Sequence, residues 1–261
     1  MTPELIQQCG DELFDAMQNR TTLKPFTERF DDITIEDAYH ISLRMIERRV
    51  EAGEKIIGKK IGVTSKAVQN MLNVHQPDFG FLTDKMAYSQ GQEMPISEQL
   101  IQPKAEGEIA FVMKKDIIGP GLTNADILAA TDFVIPCFEV VDSRIEDWKI
   151  KIQDTVADNA SCGLFVLGDT AVDPRKVDLT TCGMVVEKNG SVISTGAGAA
   201  ALGSPVNCVT WLANTLGQFG IPLKAGEVIL SGSLVPLKPV QAGDFMSVSI
   251  GGIGSASVRF V

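Results

Sequence analysis

Apolar positions recur at helical spacing over the first fifty residues and alternate in strand fashion afterwards. Leu5, Cys9, Leu13 and Met17 follow one another at intervals of four and share one face of a predicted helix. A second helix is predicted from Thr34, with Asp37 three residues on as its capping-box partner. It carries Ala38, Ile41, Met45 and Ile46 on one face and has Gly53 as terminator. Between the two helices, Thr21 to Asp32 is polar, contains Pro25 and reads as a loop.

From Ile56 onwards glycines punctuate short strands. Ile56 to Val63 is one strand candidate, followed by a short helix from Ser65 to Leu72. Glu106 to Met113 alternates, and Asp132 to Val141 is the mostly apolar run of a buried strand. Gly183 to Thr195 reads as a hairpin turning at Asn189-Gly190. Ser204-Pro205 offers an N-cap and a first-turn proline for a helix running to Gly220. Glu227 to Ser231, Phe245 to Ile250 and Ser255 to Val261 are further strands. The predicted organisation is a small helical part, residues 1–54, and a β-rich body, residues 55–261. Helices scattered among strands, rather than alternating with them, point to an α+β fold and away from a doubly wound sheet.

Charge narrows the function classes. The 261 residues carry 33 acidic and 23 basic side chains, a net charge of -10, with no run of Lys and Arg. Nucleic acid and anionic membrane surfaces are therefore poor partners. A small anionic substrate is not excluded, because a bound cation reverses the local sign. Met1 to Gln8 lacks the basic start and apolar core of a signal peptide, and no apolar run is long enough to span a bilayer. Five widely spaced cysteines suit buried thiols in a reducing cytoplasm better than a disulfide framework.

The sharpest chemical feature is Glu106-Gly107-Glu108. Strand side chains repeat with period two, so both carboxylates face one side, roughly 6.5–7 Å apart at their Cα atoms. Ala110 and Val112 continue that face and suggest that it points inward. Two inward carboxylates need a cation or a proton. Glu139 sits in an otherwise apolar strand, where an isolated charge is expensive, and offers a third ligand. Three oxygen donors without His or Cys favour Mg²⁺ or Mn²⁺ over zinc. On spacing alone, a Glu-x-Glu pair is more often a solvated face, and a lone strand glutamate more often pairs with a lysine or arginine.

Lys59 and Lys60 are adjacent in a predicted strand, so one can face inward. An inward Lys60 could meet a substrate carboxylate or an enolate; two surface lysines are the simpler alternative. Asp78, in Pro77-Asp78-Phe79-Gly80, belongs to turn-forming sequence. It either fixes that turn or transfers protons. His40 and His75 are too few and too far apart for a histidine metal site. Gly196-Ala197-Gly198-Ala199-Ala200-Ala201 loosely matches a dinucleotide fingerprint. It follows a hairpin and lacks the acidic residue about twenty positions on, so it reads as tightly packed backbone. No serine sits in a nucleophile elbow.

Several motifs in order carry a resemblance over nearly the whole chain. They are Gly58 to Ser65, Pro77 to Gly80, Pro103 to Ala110, Glu139 to Arg144, Asp158-Asn159-Ala160-Ser161 and Gly196-Ala197-Gly198. Together they resemble the hydratase/decarboxylase family of aromatic meta-cleavage pathways, within the fumarylacetoacetate hydrolase-like superfamily. The resemblance implies a mixed β-roll or barrel with helices around it. It implies metal ligands at Glu106, Glu108 and Glu139, catalytic roles for Lys60 and Asp78, and substrate contacts from Lys60 and Ser161. Lys66 to Leu72 followed by Pro77 to Gly80 is similar to the members that hydrate 2-hydroxypenta-2,4-dienoate to 4-hydroxy-2-oxopentanoate through a metal-bound enolate. The alternatives are decarboxylation of 4-oxalocrotonate, where an acidic residue at the Asp78 position is typically missing, and hydration of 2-oxohept-4-ene-1,7-dioate. A homo-oligomer, and a complex with 4-oxalocrotonate decarboxylase, are also implied.

Overall fold

The computed structural model describes residues 1–261, the side chain of Met71 excepted. The first layer is helical: α1 (Pro3–Asn19), α2 (Phe26–Arg29) and α3 (Ile35–Glu51). Thr34 caps α3 as predicted. Asp37 N donates to Thr34 Oγ1 at 3.0 Å, and Thr34 N donates to Asp37 Oδ2 at 3.0 Å. The predicted loop before α3 contains α2, a single turn that drives Phe26 fully into the interior. Phe26 and Phe30 stand four positions apart, but a single such pair in a polar stretch is too short to establish a period, which is why the turn was not legible. Leu13, Phe26, Ile41 and Met45 form a core with Ile145 and Val156, so this layer packs onto a segment far along the chain.

The body contains β1 (Ile56–Gly62), α4 (Lys66–Leu72), β2 (Asp78–Thr83), β3 (Ala87–Ser89), β4 (Glu93–Met94), α5 (Ile96–Gln99) and β5 (Lys104–Met113). Then follow α6 (Asn124–Ala130), β6 (Thr131–Val141), α7 (Ile152–Ala157), β7 (Leu164–Leu167), β8 (Gly183–Lys188), β9 (Ser191–Ala197) and α8 (Pro205–Gln218). The chain closes with β10 (Val228–Leu230), β11 (Lys238–Pro239), β12 (Phe245–Ile250) and β13 (Gly254–Phe260). The larger sheet runs β2-β1-β10-β5-β6-β7-β3, with β11 also on β5; the smaller runs β4-β13-β12-β8-β9. The mixed α+β roll with helices at the N-terminus is thus present.

The sheets meet at Gly107. A Cβ there would lie 2.8 Å from Met184 Sδ and 3.2 Å from Val248 Cγ2, both on the smaller sheet. The turn of the β8–β9 hairpin has φ of 53° at Asn189 and 79° at Gly190, the two positive values that a type I′ turn requires. Gly196 and Gly198 are packed backbone as predicted: a Cβ would fall 2.0 Å from Leu234 O and 1.7 Å from Leu179 O respectively.

Two expectations need correction. Pro77 to Gly80 is not a turn, because Asp78 begins β2 and pairs with Gly62 of β1. Phe79, Phe81 and Leu82 are buried and carry that strand despite turn-favouring neighbours. Nor are Lys59 and Lys60 surface charges, since both are buried. All five cysteines are buried and free. Among the described residues no helix is long and apolar enough to cross a membrane.

Candidate active site

The long antiparallel ladder between β5 and β6 creates the site. Its register sets Glu106 opposite Glu139 and Glu108 opposite Cys137. Gly107 explains the spacing: it takes the close approach of the smaller sheet, while the glutamates on either side point the other way. One oxygen from each of Glu106, Glu108 and Glu139 can be chosen so that all three lie within 4.8 Å of one another. Glu108 and Glu139 are buried and Glu106 is half-buried.

These carboxylates are poorly satisfied by the protein. Glu108 Oε2 accepts from Gly232 N at 2.8 Å, but Glu108 Oε1 and both oxygens of Glu139 have no hydrogen-bond partner. Burial, followed by the charge of Glu139, pushes Glu106 up to about 8. Burial, with the charges of Glu139 and Glu106, holds Glu108 well above the usual carboxylate range. Burial also raises Glu139, against the pull of Lys60. Orphaned, crowded oxygens of this kind fit a divalent cation, which would replace both the missing partners and the protons. An all-oxygen donor set matches a hard ion.

Lys60 lies on the same face. Its Nζ sits 3.3 Å from Glu139 Oε1 and donates to Ala160 O at 2.9 Å. Burial alone would lower its basicity, but Glu139 and the other acidic neighbours outweigh burial and hold it above its ordinary value. Lys59 faces oppositely, where its ammonium bonds Glu227 Oε1 at 2.6 Å and Oε2 at 2.5 Å.

Asp78 is buried, with Oδ1 unpartnered. Burial raises it above the usual carboxylate range while Lys60 opposes the rise. A Cβ on Gly62 would lie 2.3 Å from Asp78 Oδ1 and 3.1 Å from Lys60 Nζ, so both groups crowd the space above that glycine. Gly62→Ala is therefore expected to displace the Asp78 carboxyl and lower kcat by about tenfold to hundredfold. Steady-state kinetics together with a metal titration check this; metal affinity should hold, because β5 and β6 are untouched.

Ser161 lies in the turn that also holds Ala160, and its hydroxyl meets Thr155 Oγ1 at 3.1 Å rather than a carboxylate. His40 and His75 are exposed. A groove of about 890 Å³ between α3 and α8, lined by Tyr39, Phe79, Phe81 and Trp211, contains none of the three carboxylates. Phe79 and Phe81 project from the face of β2 opposite Asp78, so the groove and the carboxylate cluster are separate features.

Residues 55–261 match the family described as fumarylacetoacetate (FAA) hydrolase C-terminal. The chain is 76% identical over 221 residues to a 2-hydroxypent-2,4-dienoate hydratase of Pseudomonas putida, covering 85% of this chain and 100% of the relative. It is 58% identical over 258 residues to a 2-hydroxyhexa-2,4-dienoate hydratase of Comamonas testosteroni, covering 98% of each. Among solved structures it is similar to 4-oxalocrotonate decarboxylase from Pseudomonas putida G7 complexed with magnesium and adipate. The TM-score is 0.96 and the identity 39%, over 100% of this chain and 99% of the other. The chain belongs to the fumarylacetoacetate hydrolase family.

Proposed function

We propose that this chain is a hydro-lyase that adds water to 2-hydroxypenta-2,4-dienoate to give 4-hydroxy-2-oxopentanoate. The carrying observation is the cluster of Glu106, Glu108 and Glu139 with Lys60 against it and, beside Lys60, the buried Asp78 with its Oδ1 unpartnered. Glu106, Glu108 and Glu139 would hold Mg²⁺ or Mn²⁺; that the similar decarboxylase is complexed with magnesium supports a divalent cation. When bound, the cation supplies Lewis-acid polarisation and a template for an anionic 2-oxo acid.

The chain's own groups do the rest. Lys60 brings a fixed positive charge to the oxygen on which negative charge develops. Asp78, whose carboxyl burial pushes towards the protonated form, is placed to deliver a proton to the terminal carbon while the enol hydroxyl releases its own to solvent. The product of that step is the conjugated 2-oxo-enoate. Water then adds: its hydroxyl bonds carbon 4, the π bond between carbons 3 and 4 opens, and carbon 3 takes a proton from solvent. Asp78, now a carboxylate, can draw a proton from the adding water. Ser161, in the turn beside Lys60, is a candidate substrate contact. The same reading includes a homo-oligomer and association with 4-oxalocrotonate decarboxylase.

The similarity to the decarboxylase favours one second reading, because a site that stabilises an enolate serves decarboxylation as well as hydration. Asp78 and the hydratase relatives support hydration. The test is an ultraviolet and product assay of purified protein with Mg²⁺ or Mn²⁺, repeated with chelator. Freshly generated 2-hydroxypenta-2,4-dienoate is expected to give 4-hydroxy-2-oxopentanoate only with metal. Carbon dioxide release from 4-oxalocrotonate alone would assign the decarboxylase. Turnover confined to 2-hydroxyhexa-2,4-dienoate or to the seven-carbon dicarboxylate would reassign the chain length.

A further inference from the structure

The proposed chemistry leaves most of the turn Asn159-Ala160-Ser161 unexplained. All three residues lie in the left-handed region, with φ of 52°, 52° and 54°, where side chains other than glycine are disfavoured. Such a turn persists only if its surroundings hold it.

One side is held by a buried ion pair. Arg144 Nε donates to Asp158 Oδ1 at 2.5 Å and Nη2 to Asp158 O at 2.8 Å, while Nη1 donates to Cys162 O at 2.8 Å. A single guanidinium therefore grips the residues immediately before and after the turn. The Arg144 backbone N adds a bond to Asp158 Oδ2 at 2.9 Å.

The other side reaches the active site twice. Ala160 O takes the Lys60 ammonium at 2.9 Å. The Asn159 side chain accepts from Phe81 N at 2.8 Å and donates to Phe81 O at 3.0 Å. It thereby pairs the outer edge of β2, the last strand of the larger sheet. Gly80 permits the approach, since a Cβ there would lie 2.4 Å from Asn159 O.

We infer that Arg144, Asp158 and Asn159 are positioning residues that act through this turn. They fix the Lys60 ammonium by way of Ala160 and set β2, which carries Asp78, at a constant distance from it. A lysine head on a flexible four-carbon stem needs such an anchor to serve as a directed charge. The inference rests on the catalytic roles proposed for Lys60 and Asp78.

Asn159→Gly tests it, because glycine adopts the left-handed conformation without penalty while both bonds to Phe81 are lost. Turnover, Mg²⁺ titration and amide exchange of the peptide spanning 78–83 are measured together. Exchange is expected to accelerate and kcat to fall by about tenfold to hundredfold, with KM and Mg²⁺ affinity changed less than about twofold. In a Lys60→Ala background the same substitution should cost less than about threefold, because both changes remove one arrangement. Asn159→Asp, which keeps the acceptor and loses the donor, should fall between wild type and Asn159→Gly; it carries the same cycle if the glycine variant does not fold. Equal losses in both backgrounds, or faster exchange with no loss of rate, would overturn the inference. Full activity in Lys60→Ala alone would instead remove the reading of the site on which it rests.

Discussion

Glu108→Gln is expected to lower metal-dependent turnover by about 10³-fold or more, since Lewis-acid stabilisation of an enolate is worth several kcal/mol. Glutamine keeps the volume and an acceptor for Gly232 N, so the fold should survive. The same substitution should raise the melting temperature of the metal-free protein. Glu108 is fully buried, one of its oxygens has no partner, and its ionisation is opposed by Glu139 and Glu106. Removing a carboxyl whose ionisation the folded metal-free site opposes relieves that fold. In wild type, Mg²⁺ should raise the melting temperature by binding only the native state. In the variant that rise should vanish. Melting curves and calorimetric titration with and without chelator check both halves, and full activity in Glu108→Gln would remove the metal hypothesis.

Asp78→Asn is expected to reduce hydration by about 10²- to 10⁴-fold, the usual range for losing a positioned general acid or base. Asparagine fits the same space and preserves the β1–β2 pairing, but it cannot cycle a proton. Metal affinity should be unchanged, because Asp78 stands on β2 while the three ligand candidates stand on β5 and β6. A stopped-flow assay can follow the conjugated intermediate. Failure to form it from the dienol would place Asp78 at the first protonation. Its formation without hydration would place Asp78 at water addition. A variant as active as wild type would eliminate Asp78 as the proton-transfer group.

The parts of the site that were legible in the sequence are local. Glu106 and Glu108 share a face by strand periodicity alone, and Glu139 stands out because an apolar strand surrounds it. The Asn189-Gly190 turn and the Thr34 cap were legible for the same reason, each being encoded within a few residues. What stayed hidden depends on distant partners. Lys59 looks like a surface residue until Glu227, 168 positions away, is brought beside it. Asp78 sits among turn-favouring residues, and only pairing with Gly62 makes its segment a strand. The Arg144–Asp158 pair was visible as motif residues, yet nothing local says that it grips a left-handed turn or that the turn reaches Lys60. Ser204 is an instructive near miss: it precedes α8 as predicted, but its side chain makes no capping bond.

The two buried lysines of β1 also bear on how the chain avoids misassembly. Each faces its own carboxylate on its own side of the sheet, Lys59 towards Glu227 and Lys60 towards Glu139. A strand that slips by one residue turns every side chain to the opposite face. One direction of slip would put Lys60 in the Lys59 slot but leave Ile61 facing Glu139. The other would put Lys59 in the Lys60 slot but leave Gly58 facing Glu227. Either error strands a buried carboxylate, a defect that typically costs about 3–5 kcal/mol. The Lys-Lys dipeptide therefore acts as a two-sided proofreading key for the alignment of β1, so that the lysine needed for chemistry also helps to reject frame-shifted pairings during folding.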